Sequence, residues 1–146
     1  MKNKPFPVLF AFLLFFIFSG SAGTLFASQN DFYGRWLNKF TEDDMTIVIT
    51  LVISESRLAM EISENYDGES PDEETVVVTE IISWREIVNS DNSSKLDYPG
   101  GFLITVREVG GRNTESLEIF ISRDKTRITI PSLNEDIGYL MTFRKQ

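Results

Sequence analysis

From residue 32 onward, apolar and polar positions alternate with a period of two, the spacing of strands that bury one face. The segment "RLAMEIS" sets Leu58, Met60 and Ile62 on one side, with Arg57, Ala59 and Glu61 on the other. "GFLITVRE" turns Phe102, Ile104 and Val106 one way, and "ESLEIFIS" turns Leu117, Ile119 and Ile121 away from Glu118, Phe120 and Ser122. "MTIVITLVI" (Met45–Ile53) is nearly all apolar and largely β-branched, as a buried strand is. "TVVVTEIISWREIV" (Thr75–Val88) is β-rich too, but its apolar parity changes along its length, which predicts a bend or a bulge. "FYGRWLN" at the start and "RITIP" and "GYLMTFRK" at the end bring the set to about eight strands.

The segments between these strands are rich in Gly, Asn, Asp, Ser and Pro, the residues that accept positive φ and tight bends: "NKFTEDD", "SES", "ENYDGESPDEE", "VGGRN", "SRDKT". Most are too short for the crossover that a parallel pair requires. Successive antiparallel hairpins follow, and eight of them close into an up-and-down barrel with no free edge. The predicted fold is all-β, an eight-stranded antiparallel barrel. No helix is required, although a short turn before residue 32 or within 90–98 fits the pattern.

The N-terminus breaks this alternation. Lys2 and Lys4 precede an unbroken apolar run, Phe6 to Phe18, followed by the small residues of "SGSAGTLFA". That is the layout of a secretory signal peptide. The run is shorter than the roughly 20 apolar residues of a membrane span, with an uncleaved anchor as the alternative. The expected division is a leader over 1–27 and one domain over 28–146, with cleavage after Ala22 or Gly23 as a competing choice. No cysteine follows the leader, so a lipid-anchored form is excluded and the domain folds without disulfides. The expected location is periplasmic or secreted. Loss of Lys2 and Lys4 takes the net charge from −8 to −10, which disfavours nucleic acid and anionic membrane surfaces and serves solubility.

"Gly34-Arg35-Trp36" on the first strand, with a last strand ending "Thr142-Phe143-Arg144-Lys145", resembles the lipocalin-like members of the calycin superfamily. The resemblance implies that the Trp plugs the closed end of the barrel and that a basic side chain from near the C-terminus packs across its indole. Gly34 and Trp36 match the motif; Arg144 is the best match for the basic partner and Lys145 the second choice. The glycine is expected to let the backbone pass close to the ring, and Tyr33, on the opposite parity, to face outward. The chain lacks the disulfide and the T-D-Y-like motif of larger secreted lipocalins, and is closer to small bacterial members.

Candidate chemistry narrows the picture further. Without His or Cys, the commonest general base, thiol nucleophile and transition-metal ligands are missing. Carboxylates alone would have to carry catalysis, and Glu80 and Glu86 do not form a convincing pair. The expectation is a non-enzyme without cofactor. The acidic run of Asp67, Glu69, Asp72, Glu73 and Glu74 has the oxygen chemistry of a Ca²⁺ site but not EF-hand spacing, and reads as a solvated loop. The sequon Asn92–Ser94 also reads as loop.

For the interior, Leu51, Met60, Ile62, Trp84, Phe102, Ile104, Ile119 and Met141 are the expected ligand-lining side chains. Such a barrel either holds one small hydrophobic molecule or is filled by its own side chains and acts on an envelope protein through its rim. The sequence leaves both open. Arg107 falls on the outward parity and Arg85 is unassigned, so a carboxylate clamp has little support. Tyr66 and the "Tyr98-Pro99-Gly100-Gly101" stretch fall in loops at the mouth.

Overall fold

The computed structural model describes residues 27–66, 73–90, 97–133 and 141–146. Residues 1–26, which hold most of the expected leader, the acidic positions Asp67, Glu69 and Asp72, the Asn92–Ser94 sequon and residues 134–140 lie outside them.

A single-turn helix α1 (Gln29–Phe32) is followed by β1 (Gly34–Glu42), β2 (Met45–Ile53), β3 (Arg57–Tyr66) and β4 (Glu73–Val88), then by β5 (Gly100–Glu108), β6 (Thr114–Ile121), β7 (Arg127–Thr129) and β8 (Thr142–Lys145). Each strand pairs antiparallel with the next, and β8 returns to β1, giving the closed up-and-down barrel that the alternation predicts. Glu73 and Glu74 belong to β4 and not to the preceding loop. Among the described residues no group of three or more acidic side chains is placed to hold a metal ion.

Register puts the predicted faces together. Trp36 lies opposite Leu51, Leu51 opposite Met60, and Met60 opposite Val77, so one inward row runs across four strands. On the far side Ile104 pairs with Leu117, Phe102 with Ile119, and Ile121 with Ile128. The parity change in β4 is a register shift between Ile81 and Ser83. Ile81, opposite Val106, is buried; Ile82 is extruded and half exposed; beyond the shift Trp84, opposite Ile104, packs against the core. One extra residue swaps odd for even on the inward face.

The first strand begins two residues later than its sequence pattern suggests, because Phe32 belongs to α1. The backbone N–H of Ser28 donates to Asp31 Oδ2 at 2.8 Å, holding the turn, and Phe32 is completely buried. Its ring meets Phe102 edge-on at 5.5 Å and lies 6.2 Å from Trp84. The helix therefore stoppers one end of the barrel. Tyr33 does not face solvent freely: it packs on the core, its ring 6.0 Å from Trp84. Burial and, after it, the negative charge of Glu55 raise its hydroxyl pKa.

The seam between β1 and β8 is short, two residue pairs, Trp36 with Lys145 and Leu37 with Arg144. Side chains and chain ends lengthen it. Asn38 Nδ2 donates to the Thr142 carbonyl at 2.7 Å, and the Gln146 N–H donates to the Arg35 carbonyl at 3.0 Å.

Tyr98 is neither exposed nor at the mouth. It is buried on the outer wall, with the Arg127 guanidinium 5.8 Å from its ring centre and its hydroxyl 3.5 Å from that of Thr142. Phe120, opposite Thr129, shares this covered outer face, which accounts for its burial on the polar parity of β6. Gly100 and Gly101 are strand residues in β5, and Tyr66 ends β3 half exposed.

Candidate functional site

The interior has a filled half and a hollow half. At the stoppered end Trp36, Phe32, Ile104, Ile119, Ile128 and Phe143 are all inaccessible to solvent. Trp36 is anchored by its indole N–H, which donates to the Phe32 carbonyl at 2.7 Å. The basic side chain over its ring is Lys145, with Nζ 5.2 Å from the ring centre, and not Arg144. Strand parity is the reason: Phe143 and Lys145 share the inward face with Trp36, whereas Arg144 stands on the outside opposite Leu37 and Arg127. There Arg144 lines a polar surface groove with Asp124, Thr126 and Arg127, which Lys145 also borders. Lys145 Nζ also donates to the Asp31 carbonyl at 3.2 Å, tying β8 to α1. Lys125 closes the same corner with a 2.9 Å ion pair to Asp31. Burial pushes the Asp31 carboxyl up, but the hydrogen bonds from Lys125 and Ser28 and the Lys125 charge outweigh it and leave it below its usual value.

Gly34 matches the motif for a different reason from close approach to the ring. Its φ is +124°, a conformation that L side chains rarely adopt, while the nearest atom to an added Cβ would be Lys145 Cε at 3.8 Å. The chain turns there from helix into barrel, and only glycine makes that turn without strain.

Toward the opposite end lies a cavity of about 190 Å³. Leu51, Met60, Val77, Val106 and Leu117 line it from β2 to β6; Leu58 adds to the wall, and Ile130 and Leu133 close the side after β7. Among the described residues two polar side chains take part. Thr79 spends its hydroxyl on the Leu58 carbonyl at 3.2 Å. Glu115 faces inward opposite Val106 and is exposed at the mouth.

Of the expected lining residues, Leu51 and Met60 line this cavity. Ile62 packs against the core beside it, opposite Ile49. Trp84, Phe102, Ile104 and Ile119 fill the stoppered half instead, and Met141 is buried just before β8. Trp84 is fixed by its indole N–H on the Glu55 carbonyl at 2.9 Å. Leu58, Val77, Thr79, Val106, Glu115, Leu117, Ile130 and Leu133 also line it and were not among the expected lining residues, although alternation had already set Leu58, Val106 and Leu117 on the faces of their inward neighbours. Val77 had a usable signal, since the inward parity of β4 before its bulge is odd.

Arg107 stands on the outer wall as expected, its guanidinium 2.7 Å from Glu80 Oε2, and Arg85 is exposed. Among the described residues no cationic side chain lines the cavity.

Comparison with protein-family models, with curated protein sequences and with solved structures gives no match in any of the three. The chain's own geometry carries the functional reading.

Proposed function

We propose that the chain is an exported, lipocalin-like barrel that holds one small hydrophobic molecule non-covalently in the hollow half of its interior. The observation that carries this is the apolar cavity of about 190 Å³ between β2–β6 and the segment after β7. Three further features support it: the G-x-W at the start of β1, a basic residue across the Trp36 ring, and a stoppered opposite end. Export rests on the leader, and the reading is of a carrier or sensor, not a catalyst.

Size sets the ligand class. Drug-sized ligands occupy pockets of about 300 Å³ and upward, and this cavity is smaller. A dry cavity of about 150 Å³ lined by aliphatic side chains accommodates benzene. The ligand is therefore a single ring or a short alkyl chain. Its binding energy comes from apolar burial, about 25 cal/mol per Å² before association costs.

Mass spectrometry of solvent extracts from protein purified from its native source tests this. One co-purifying apolar compound of that size is expected. Protein that arrives empty and takes up none of a panel of such compounds would refute the reading.

A second reading has an observation of its own. Val76, Ile82 and Val88 on β4 are about half exposed or more, at 54, 49 and 66%. Apolar side chains left exposed along β4 suit an envelope protein-interaction or inhibitor module with no small-molecule ligand. It predicts that Leu117→Phe, which fills the cavity, changes nothing that the protein binds.

A further inference from the structure

The cavity has one feature that its apolar lining does not explain. In β6 the inward positions run Glu115, Leu117, Ile119 and Ile121, and the other three serve the core or the cavity wall. The parity that puts Leu117 inside puts Glu115 inside too, opposite Val106. A carboxylate thus stands where the pattern calls for an aliphatic side chain, at the mouth of an otherwise apolar cup.

Among the described residues nothing answers its charge. Glu115 has no ion pair or hydrogen bond within the described residues. The other polar side chain of the lining, Thr79, is already committed to the Leu58 carbonyl. On the neighbouring β5, Arg107 is held on the outside by Glu80 through two contacts of 2.7 and 3.2 Å. The mouth therefore presents acceptors and negative charge to whatever enters.

We infer that the cavity selects an apolar group that carries a protonated amine, and discriminates against carboxylates of the same shape. The apolar body fills the space between Met60 and Leu117, and the ammonium stays at the mouth within reach of Glu115. Fatty acids and aromatic acids, the common anionic amphiphiles, meet like charge there and are disfavoured. The inference rests on the ligand-cavity reading above and adds the chemical class. An exposed ion pair is worth only a small factor, with a similar penalty for like charges. Together they give an amine about tenfold tighter binding than its isosteric acid at low salt, a gap that added salt narrows.

Three probes of one shape test it: toluene, benzylamine and benzoate, each titrated into the full folded domain at low ionic strength. The readout is the NMR shifts of the Met60 and Leu117 methyl groups. The expected result is that toluene binds, and that benzylamine binds about tenfold tighter than benzoate. Glu115→Gln should close that gap. Saturable toluene binding with benzylamine and benzoate equal, or a gap that survives in Glu115→Gln, would overturn the inference while leaving the cavity reading in place. Failure of all three probes would overturn the cavity reading and the inference together. Wild-type dispersion of the methyl signals in ligand-free E115Q shows that the variant is folded.

Discussion

Trp36 is wholly buried, its ring under Lys145 and its N–H on the Phe32 carbonyl. Truncating so large a buried ring leaves a cavity as well as lost contacts, so Trp36→Ala is expected to cost about 3–5 kcal/mol, read by denaturant unfolding. The Lys145 contact is smaller. Lys145→Met should lower stability by about 0.5–1 kcal/mol, the range of a cation–π contact near the surface, while Arg144→Met leaves it nearly unchanged. The reverse ranking would reinstate Arg144. Parity alone distinguishes these two residues: once Phe143 is placed inside, Lys145 follows it and Arg144 cannot. Gly34 was legible as a motif residue, but its φ of +124° was not, since a glycine in a sequence does not say which of its freedoms is in use.

At the scale of the element, β5 and β6 run so close at Gly101 that a Cβ there would land on the Ile119 carbonyl oxygen. Gly101→Ala must spread the two strands or twist them locally, an overpacking cost of about 1–3 kcal/mol or more. A melting temperature equal to that of the wild type would show that the strands part easily. The turn from Ser122 to Thr126 depends on one carboxylate. Hydrogen bonds from Ser122 and then from the Thr126 hydroxyl and N–H hold the Asp124 pKa down, from 3.8 to about 2. A depressed folded-state value means that stabilisation is complete above pH 3.8 and is lost as the pH falls toward 2. Asp124→Ala should therefore melt earlier than the wild type at pH 7, with the difference shrinking between those two values. A constant difference across that range would mean that the carboxylate charge contributes nothing. The bulge in β4 was readable in the sequence as broken parity, because a period of two makes a single inserted residue visible. The start of β1 was less readable. "FYGRWLN" has strand character throughout, yet Ser28 and Asp31 fold its first residue into α1, where Phe32 stoppers the barrel.

For the whole molecule, eight alternating segments joined by short turns admit few antiparallel topologies, and the closed barrel is the one that leaves no edge. That much followed from pattern. The position of the hollow did not. Alternation says which side chains point inward, but whether they meet across the middle depends on barrel height and on the bulk at each level. The aromatic residues collect at the stoppered end, so Trp84, Phe102 and Ile104 fill space there. The less bulky Val77, Val106 and Leu117 leave space at the other end. The outer wall was also illegible, since the burial of Tyr98 arises from its packing beside Arg127 of β7 and Thr142 of β8.

The central claim is an apolar cavity in the open half, and xenon, which occupies apolar cavities, tests it most directly. In crystals of the domain held under xenon, the account predicts one ordered atom between Met60 and Leu117, lost in Leu117→Phe. An interior without xenon, or one holding ordered water at that place, would contradict it.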